Sequence, residues 1–304
     1  MPTLDGVVPV IPTPFSDDES IDESSLRRTV EFVAQRQMAG LCLPAYGSEF
    51  YKLTDAERET VVGIAIDQAS GKIPIVAQAN HPSVKVACEL ARGYERMGAD
   101  IVSFAIPRQF GATDADRLHY CGQIADAVTC PVLIQDFNPG GPTVGVEFIE
   151  AAHHAHPNIV YFKLEEPLVV DKLIQVRKKL AGKVGVLGGW GGYYMIESLP
   201  AGICGIMPGV PICDLLAKVY RTHRMGDPQT AYELFSKLLP YIAFSLQDFE
   251  LFLQMEKRLM VRRGLFETTR CRSLTRTLSA EVSSHIDFLL DQMETVLKSE
   301  KLNR

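Results

Sequence analysis

Long apolar runs are missing from this chain. No stretch approaches the roughly 18–20 consecutive apolar residues that a membrane-spanning helix needs. Residues 1–15 carry no basic region ahead of their apolar stretch, so they do not read as a secretory signal. A cytoplasmic protein with no membrane partner is the expectation. Excess positive charge is missing too: 31 Lys and Arg stand against 37 Asp and Glu, a formal charge of −6. That balance offers no electrostatic footprint for nucleic acid. Paired cysteines are lacking, because the 7 cysteines are odd in number, scattered and never spaced Cys-x-x-Cys. Neither a disulfide framework nor a zinc site is suggested; most of these thiols sit in apolar stretches where a small hydrophobe fills space. Neither internal repeats nor low-complexity segments occur. What is present is an ordinary globular composition, 46% hydrophobic over 304 residues. Such a length gives a soft prior of about two domains at roughly 150 residues each, although α/β barrels of about 250 residues run as single units.

Short Val/Ile/Leu-rich runs recur along the chain, each followed by a longer amphipathic stretch. The runs cover residues 6–11, 40–45, 73–79, 100–106, 131–137, 159–164, 184–187 and 202–207. They lack clean polar alternation, as expected for parallel strands covered on both faces. Alternation of strand and helix predicts βαβ units, and eight strands is the barrel number. Between the runs, Asp22 with Ser24 and Ser25 opens a segment with apolar residues near helical spacing. Thr54 followed by Glu57 has capping-box spacing, which predicts a helix over about 55–70. Further amphipathic segments cover 83–97, 115–127, 146–154, 169–180 and 194–199. After the eighth run come helical stretches over 213–224, 228–246, 248–263 and 279–298, more than a barrel needs. The fold expected is α/β, a (β/α)8 TIM barrel with a C-terminal helical extension. Residues 1–210 hold the strands and most barrel helices; 211–304 hold the last barrel helix and an appendage that offers surface for a subunit interface.

In such a barrel the active site forms at the C-terminal ends of the strands, so the residues that end each run carry the information. The sixth run places Lys163 late in an otherwise apolar strand. Period-two geometry puts Tyr161, Lys163 and Glu165 on one face and Phe162 and Leu164 on the other. Burial favours a neutral amine, which attacks a ketone to form a Schiff base. The competing reading is a lysine paired with Glu165 or Glu166 at a strand end.

Four stretches resemble the dihydrodipicolinate synthase and N-acetylneuraminate lyase family: residues 6–15, 45–58, 160–166 and 188–209. The resemblance spans essentially the whole chain. It implies a Schiff-base aldolase or dehydratase acting on pyruvate or another 2-keto acid, with Lys163 as the imine lysine, no cofactor, and a homotetramer. In most members a Gly-Thr-Thr-Gly-Glu motif holds the substrate carboxylate. Here the matching stretch is Ala45, Tyr46, Gly47, Ser48 and Glu49, so only Glu49 is kept in place. A relay tyrosine and an arginine that end the fifth strand in the synthases are replaced in the stretch from Gln135 to Gly141. A second tyrosine gives way in Pro107-Arg108-Gln109-Phe110. Within the family, Ser48, Glu49, His81, Gly111 to Thr113, Gln135, Asp136 and the strand at 161–163 are similar to the 2-keto-3-deoxy-L-arabonate dehydratase branch. That similarity favours dehydration of a 2-keto-3-deoxy sugar acid.

Each candidate has a plainer alternative beside it. Glu49 moves protons or fixes its loop by accepting backbone amides. Ser48 and Gly47 present donors to a carboxylate, or Gly47 merely serves a turn. Tyr46 donates a hydrogen bond or packs its ring under the site. Gln135 stands where the family carries its tyrosine; an amide is no general acid, so it orients substrate or water. Asp136 should point to the other face of its strand and form a structural ion pair. His81 meets a substrate hydroxyl or is structural. Gly188 and Gly189 line the keto-acid pocket, as the resemblance implies. Trp190 is core or pocket, and Arg108 binds a distal carboxylate or lies on the surface. His153, His154 and His156 lack the geometry of a metal site, since adjacent helical residues diverge by about 100° per step. Two rivals remain: a pyruvate-dependent class I aldolase, and a non-catalytic keto-acid-binding barrel that lost its proton relay.

Overall fold

A computed structural model describes residues 4–108, 111–138 and 141–302. Among these residues there are eight strands: β1 (Gly6–Val7), β2 (Leu41–Leu43), β3 (Ile75–Gln78), β4 (Ile101–Ala105), β5 (Val132–Asp136), β6 (Ile159–Leu164), β7 (Gly185–Gly188) and β8 (Gly205–Ile206). All pair in parallel, in the order β1-β8-β7-β6-β5-β4-β3-β2. The seam between β1 and β2 is closed just beyond β1. There the Ile11 amide donates to the Cys42 carbonyl at 2.9 Å, and the Cys42 amide donates to Pro9 at 2.9 Å. Val10 bridges both Cys42 and Gly209, so the sheet curls into a barrel.

Eight helices follow the strands in turn: α1 (Glu23–Gln35), α2 (Asp55–Ala69), α3 (Val84–Met97), α4 (Asp114–Ala125), α5 (Val146–Ala155), α6 (Val169–Lys179), α7 (Met195–Ala201) and α8 (Cys213–Arg224). The Asp22 side chain caps α1 and accepts from Ser25 N at 3.1 Å. The capping box of α2 forms as its spacing requires: Glu57 N donates to Thr54 Oγ1 at 3.2 Å, and Thr54 N donates to Glu57 Oε2 at 2.8 Å. Three more helices complete the chain: α9 (Pro228–Ser245), α10 (Phe249–Arg262) and α11 (Ala280–Ser299). No helix among the described residues is long and apolar enough to cross a membrane.

Strand alternation divides the core in two. Val8, Val76, Ile101, Leu133, Tyr161 and Leu187 fill the barrel interior. Ile134, Phe162 and Val186 belong to the larger layer between barrel and helices. The face assignment for the sixth strand follows directly, with Tyr161 inside and Phe162 and Leu164 outside. The strands are shorter than the apolar runs that mark them. The surplus apolar residues at the ends of the runs are buried all the same: Ile11 and Ala79 join the outer layer, and Ala45 and Met207 line the C-terminal mouth of the barrel.

Candidate active site

A cavity of about 270 Å³ opens at the C-terminal mouth of the barrel. Lys163 and Gln135 are register neighbours on β6 and β5, so both inward-pointing side chains reach it from the same height. Lys163 is only 6% exposed, and its Nζ lies 3.3 Å from Glu165 Oε1. Glu165 continues the inward face two residues on and is itself buried. Its two oxygens are held separately: Gln135 Nε2 donates to Oε2 at 2.7 Å, and the Trp190 amide donates to Oε1 at 3.0 Å. Glu166 turns the other way, where Lys172 and Thr143 bind it; Thr143 Oγ1 donates to it at 2.7 Å. Burial pushes the Glu166 carboxyl up, but Lys172 and Thr143 outweigh it and hold the group below the usual range. Both sequence readings of Lys163 therefore meet in one place. It is paired with Glu165, and the pair faces a cavity.

Gln135 is fixed from behind by other side chains. Asn80 Nδ2 donates to Gln78 Oε1 at 3.0 Å, and Gln78 Nε2 donates to Gln135 Oε1 at 2.7 Å. Ala105 N donates to Asn80 Oδ1 at 2.6 Å, which closes the far end of the chain. With its carbonyl occupied, Gln135 can present only N–H to the carboxylate. Val76, Gln78 and Asn80 share one strand face by alternation. The polar pair at the end of the third run was thus a readable signal that the sequence analysis passed over.

The β2 loop supplies one wall. Tyr46 and Gly47 line the cavity. Burial, and then the charge of Glu165, push the Tyr46 phenol above its ordinary value, so it stays protonated. Its ring packs on Phe137 at 4.9 Å and on Phe50 at 5.1 Å between centroids. A Cβ on Gly47 would come 3.1 Å from Val10 Cγ1. Trp190 and Gly191 after β7, and Met207 to Gly209 after β8, form the opposite side. The roof comes from the turn between α9 and α10, residues 246–248, with Phe249 and Phe252 of α10. The C-terminal helices thus build part of the site, a role not foreseen for an appendage expected to offer subunit surface.

Several expected site residues lie elsewhere. Glu49, expected as a catalytic group, is fully buried and does not line the cavity. Lys52 sits 3.0 Å from its Oε2 and Lys257 2.5 Å from its Oε1, so it anchors its loop. Ser48 spends its hydroxyl on the fold: it donates to the Ile11 carbonyl at 2.5 Å and accepts from Ala45 N at 3.0 Å. His81 accepts from Ser83 N at 2.9 Å, outside the cavity lining. Gly188 and Gly189 are not in the lining either. A Cβ on Gly188 would face Ile203 at 3.0 Å, in the outer layer, while one on Gly189 would stand 2.0 Å from Glu165 Oε1. Gly189 is glycine to leave room for that carboxylate, not for substrate.

Asp136 points outward, as alternation requires. Arg108 pairs with it, with Nε at 2.9 Å from Oδ1, and the Val144 amide donates to it at 2.6 Å. Arg108 is thereby committed to the fold. Gln109, Phe110, Pro139 and Gly140 lie outside the described residues. His153 donates to the Ile159 carbonyl at 2.8 Å, and His156 sits 2.8 Å from Asp126. Among the described residues no three His, Cys, Asp or Glu side chains gather as metal ligands.

A closed parallel barrel, with one buried lysine beside a buried carboxylate at its C-terminal mouth, sets the class of protein: a barrel enzyme of the lyase type. More particularly, the chain belongs to the dihydrodipicolinate synthetase family, which matches residues 3–293. It is 28% identical over 244 residues to the L-2-keto-3-deoxyarabonate dehydratase of Azospirillum brasilense, covering 78% of each chain. It is 25% identical to the "probable 2-dehydro-3-deoxy-D-pentonate aldolase" of Escherichia coli K12, covering 95% of this chain and 97% of that one. The crystal structure of dihydrodipicolinate synthase from Rhodopseudomonas palustris superposes with a TM-score of 0.89 at 26% identity, over 96% of this chain and 98% of the other.

Proposed function

We propose that Lys163 forms a Schiff base with C2 of a 2-keto acid and that Glu165 carries the protons of the reaction that follows. The observation that carries this reading is the 3.3 Å pair of Lys163 and Glu165 in the cavity, with Gln135 gripping the carboxylate. Attack of the amine on C2 expels the carbonyl oxygen as water. The iminium nitrogen then draws electrons from C3, and Glu165 takes the C3 proton. Positioned proton transfer of this kind contributes typically about 10²- to 10⁴-fold.

From the resulting enamine, loss of the C4 hydroxyl with a proton from Glu165 is dehydration. Removal of the C4 hydroxyl proton from the iminium itself, with C3 still protonated, cleaves the C3–C4 bond and leaves the pyruvate enamine and an aldehyde; this is the retro-aldol route. Tyr46, held protonated by burial and by Glu165, is a donor for a leaving hydroxyl. Dehydration of a 2-keto-3-deoxy sugar acid is the reaction we assign, in keeping with the name of the Azospirillum relative. The backbone amides of Tyr46 and Gly47 serve as donors to the substrate carboxylate. No metal or organic cofactor enters these steps. We take the enzyme to work in the cytoplasm as a homotetramer, which light scattering on the purified protein checks.

The test is borohydride reduction with pyruvate or a 2-keto-3-deoxy pentonate, read by intact mass, with Lys163→Ala alongside. A reduced adduct on the wild type and none on the variant is expected. No adduct with any keto acid sinks the Schiff-base reading and leaves the binding barrel in front. Release of an aldehyde with pyruvate moves the assignment to the aldolase.

A further inference from the structure

Three buried side-chain amides stand in a row between a backbone N–H of β4 and the carboxylate of Glu165. β3 ends at Gln78, whereas β4 runs on to Ala105, and the pairing of Gln78 with Ser103 puts Ala105 past the end of β3. In the place of a strand carbonyl, the Ala105 N–H meets Asn80 Oδ1 at 2.6 Å. A backbone N–H only donates, so the oxygen of Asn80 is fixed on that side and Nδ2 turns toward Gln78. Nδ2 donates to Gln78 Oε1 at 3.0 Å, Gln78 Nε2 to Gln135 Oε1 at 2.7 Å, and Gln135 Nε2 to Glu165 Oε2 at 2.7 Å. The second N–H of Gln78 goes to Ser103 Oγ at 3.3 Å. Gln78, Asn80, Ser103 and Gln135 are all buried, so bulk water does not compete for these links.

An amide that turns over in the middle of such a row sets oxygen against oxygen at one end and N–H against N–H at the other, which a buried site does not tolerate. The direction set at Ala105 therefore runs through to Glu165. Among the described residues that carboxylate meets only donors: Gln135 on Oε2, and the Trp190 amide and Lys163 on Oε1. With Oε2 held by Gln135, Oε1 beside Lys163 is the oxygen turned to the substrate.

We propose, on the Schiff-base reading, that Gln78 and Asn80 are positioning residues that act through Gln135, holding its N–H on Glu165 Oε2 so that the carboxylate takes the C3 proton of the iminium on Oε1. In that step the C3–H bond breaks, its electron pair forms the C2=C3 bond of the enamine, the C=N electron pair returns to the nitrogen, and an Oε1–H bond forms. Neither Gln78 nor Asn80 lines the cavity, so their influence on proton transfer passes along the row.

Exchanging one NH2 for oxygen reverses the row at nearly constant shape. In Asn80→Asp or Gln78→Glu the ionised side chain only accepts, so the amides beyond it turn over and Gln135 sets its carbonyl against Glu165. While protonated, the introduced acid still donates as the amide did. Arg58, whose NH2 donates to the Asn80 backbone carbonyl at 2.7 Å, is placed to balance an acid at position 80. The readout is deuterium entering the methyl group of pyruvate in D2O between about pH 5.5 and 9, which follows C3 proton transfer once the imine has formed. The borohydride adduct is measured alongside by intact mass. In both acid variants exchange should fall at least about tenfold below the wild type as the introduced group ionises, with the adduct on Lys163 retained. Asn80→Ala removes more of the side chain but adds no acceptor, and should keep more exchange than ionised Asn80→Asp. Exchange that follows the wild type throughout in the acid variants, or that falls furthest in Asn80→Ala, overturns the proposal while leaving the Schiff base standing. Loss of the adduct in both acid variants, with the wild type still labelled, overturns it too, since the row then serves the lysine or the fold. No adduct on the wild type from pyruvate or a 2-keto-3-deoxy pentonate overturns the Schiff-base reading itself, and this proposal with it.

Discussion

The pair at the centre of the site needs a third residue to exist. Glu165 can bring Oε1 toward Lys163 only because position 189 has no side chain, a Cβ there standing 2.0 Å from that oxygen. Gly189→Ala should therefore act like a substitution of Glu165 itself. Both Gly189→Ala and Glu165→Gln are expected to lower kcat by about 10²- to 10⁴-fold, with the pyruvate adduct on Lys163 retained in Glu165→Gln. Steady-state rates and reduced-adduct mass check this, and loss of the adduct in Glu165→Gln would instead assign Glu165 to imine formation.

A second buried carboxyl gives a pH signature of its own. Burial raises the Glu256 group to about 8, while Tyr241 donates to it at 3.3 Å. A carboxyl whose folded value lies above its unfolded one stabilises the fold fully below the unfolded value and loses that contribution as pH rises through the folded one. Stability should thus fall between about pH 4.5 and 8, by on the order of a few kcal/mol from this group. Urea unfolding at a series of pH values should show the slope in the wild type and a flatter profile in Glu256→Gln.

Among elements, helix starts were the most legible feature, because capping is a local hydrogen-bond exchange that four residues specify. The Thr54 and Glu57 box forms with both bonds in place. Thr54→Ala should cost about 1 kcal/mol of stability by chemical denaturation. It should leave kcat unchanged, since α2 supplies no cavity residue. Glu57 has a second duty no local rule shows: Arg272, more than two hundred residues on, reaches it at 2.8 Å through NH1 and holds its carboxyl at about 2. Strand faces were equally legible. A lone lysine among apolar residues at period two had to point into the barrel once Phe162 and Leu164 faced the helices. The function of α10 was not legible, because its apolar stripe reads the same whether it packs on a barrel or roofs a cavity.

At the scale of the molecule, the extension is tied to the barrel by charge as well as by packing. Lys257 of α10 is wholly buried and ends 2.5 Å from Glu49, on the β2 loop that carries Tyr46 and Gly47. It also donates to the Arg270 carbonyl at 2.7 Å. Removing one partner of such a buried pair leaves the other uncompensated, so Glu49→Ala should destabilise by about 3–5 kcal/mol. A fall in denaturation midpoint, with near-normal kcat for the folded fraction, would confirm an anchor. A loss of kcat without loss of stability would restore Glu49 to the chemistry.

The sequence by itself determined the barrel, its helices, the inward face of β6 and the place of Lys163 on that face. Each of these follows from periodicity, capping or a single charged residue in an apolar run, all written within a few residues of one another. Only the tertiary structure decided what surrounds the lysine. Gln78 with Asn80, Gln135 and Glu165 come from the third, fifth and sixth strands and their ends, and the hydrogen bonds that join the three strands exist only once the sheet has formed. The same closure removed Glu49, Ser48, His81, Gly188 and Gly189 from the cavity wall and brought Phe249 and Phe252 into it. Spacing along a chain cannot fix contacts between residues a hundred positions apart; the curvature of the sheet and the packing of α10 over its mouth do.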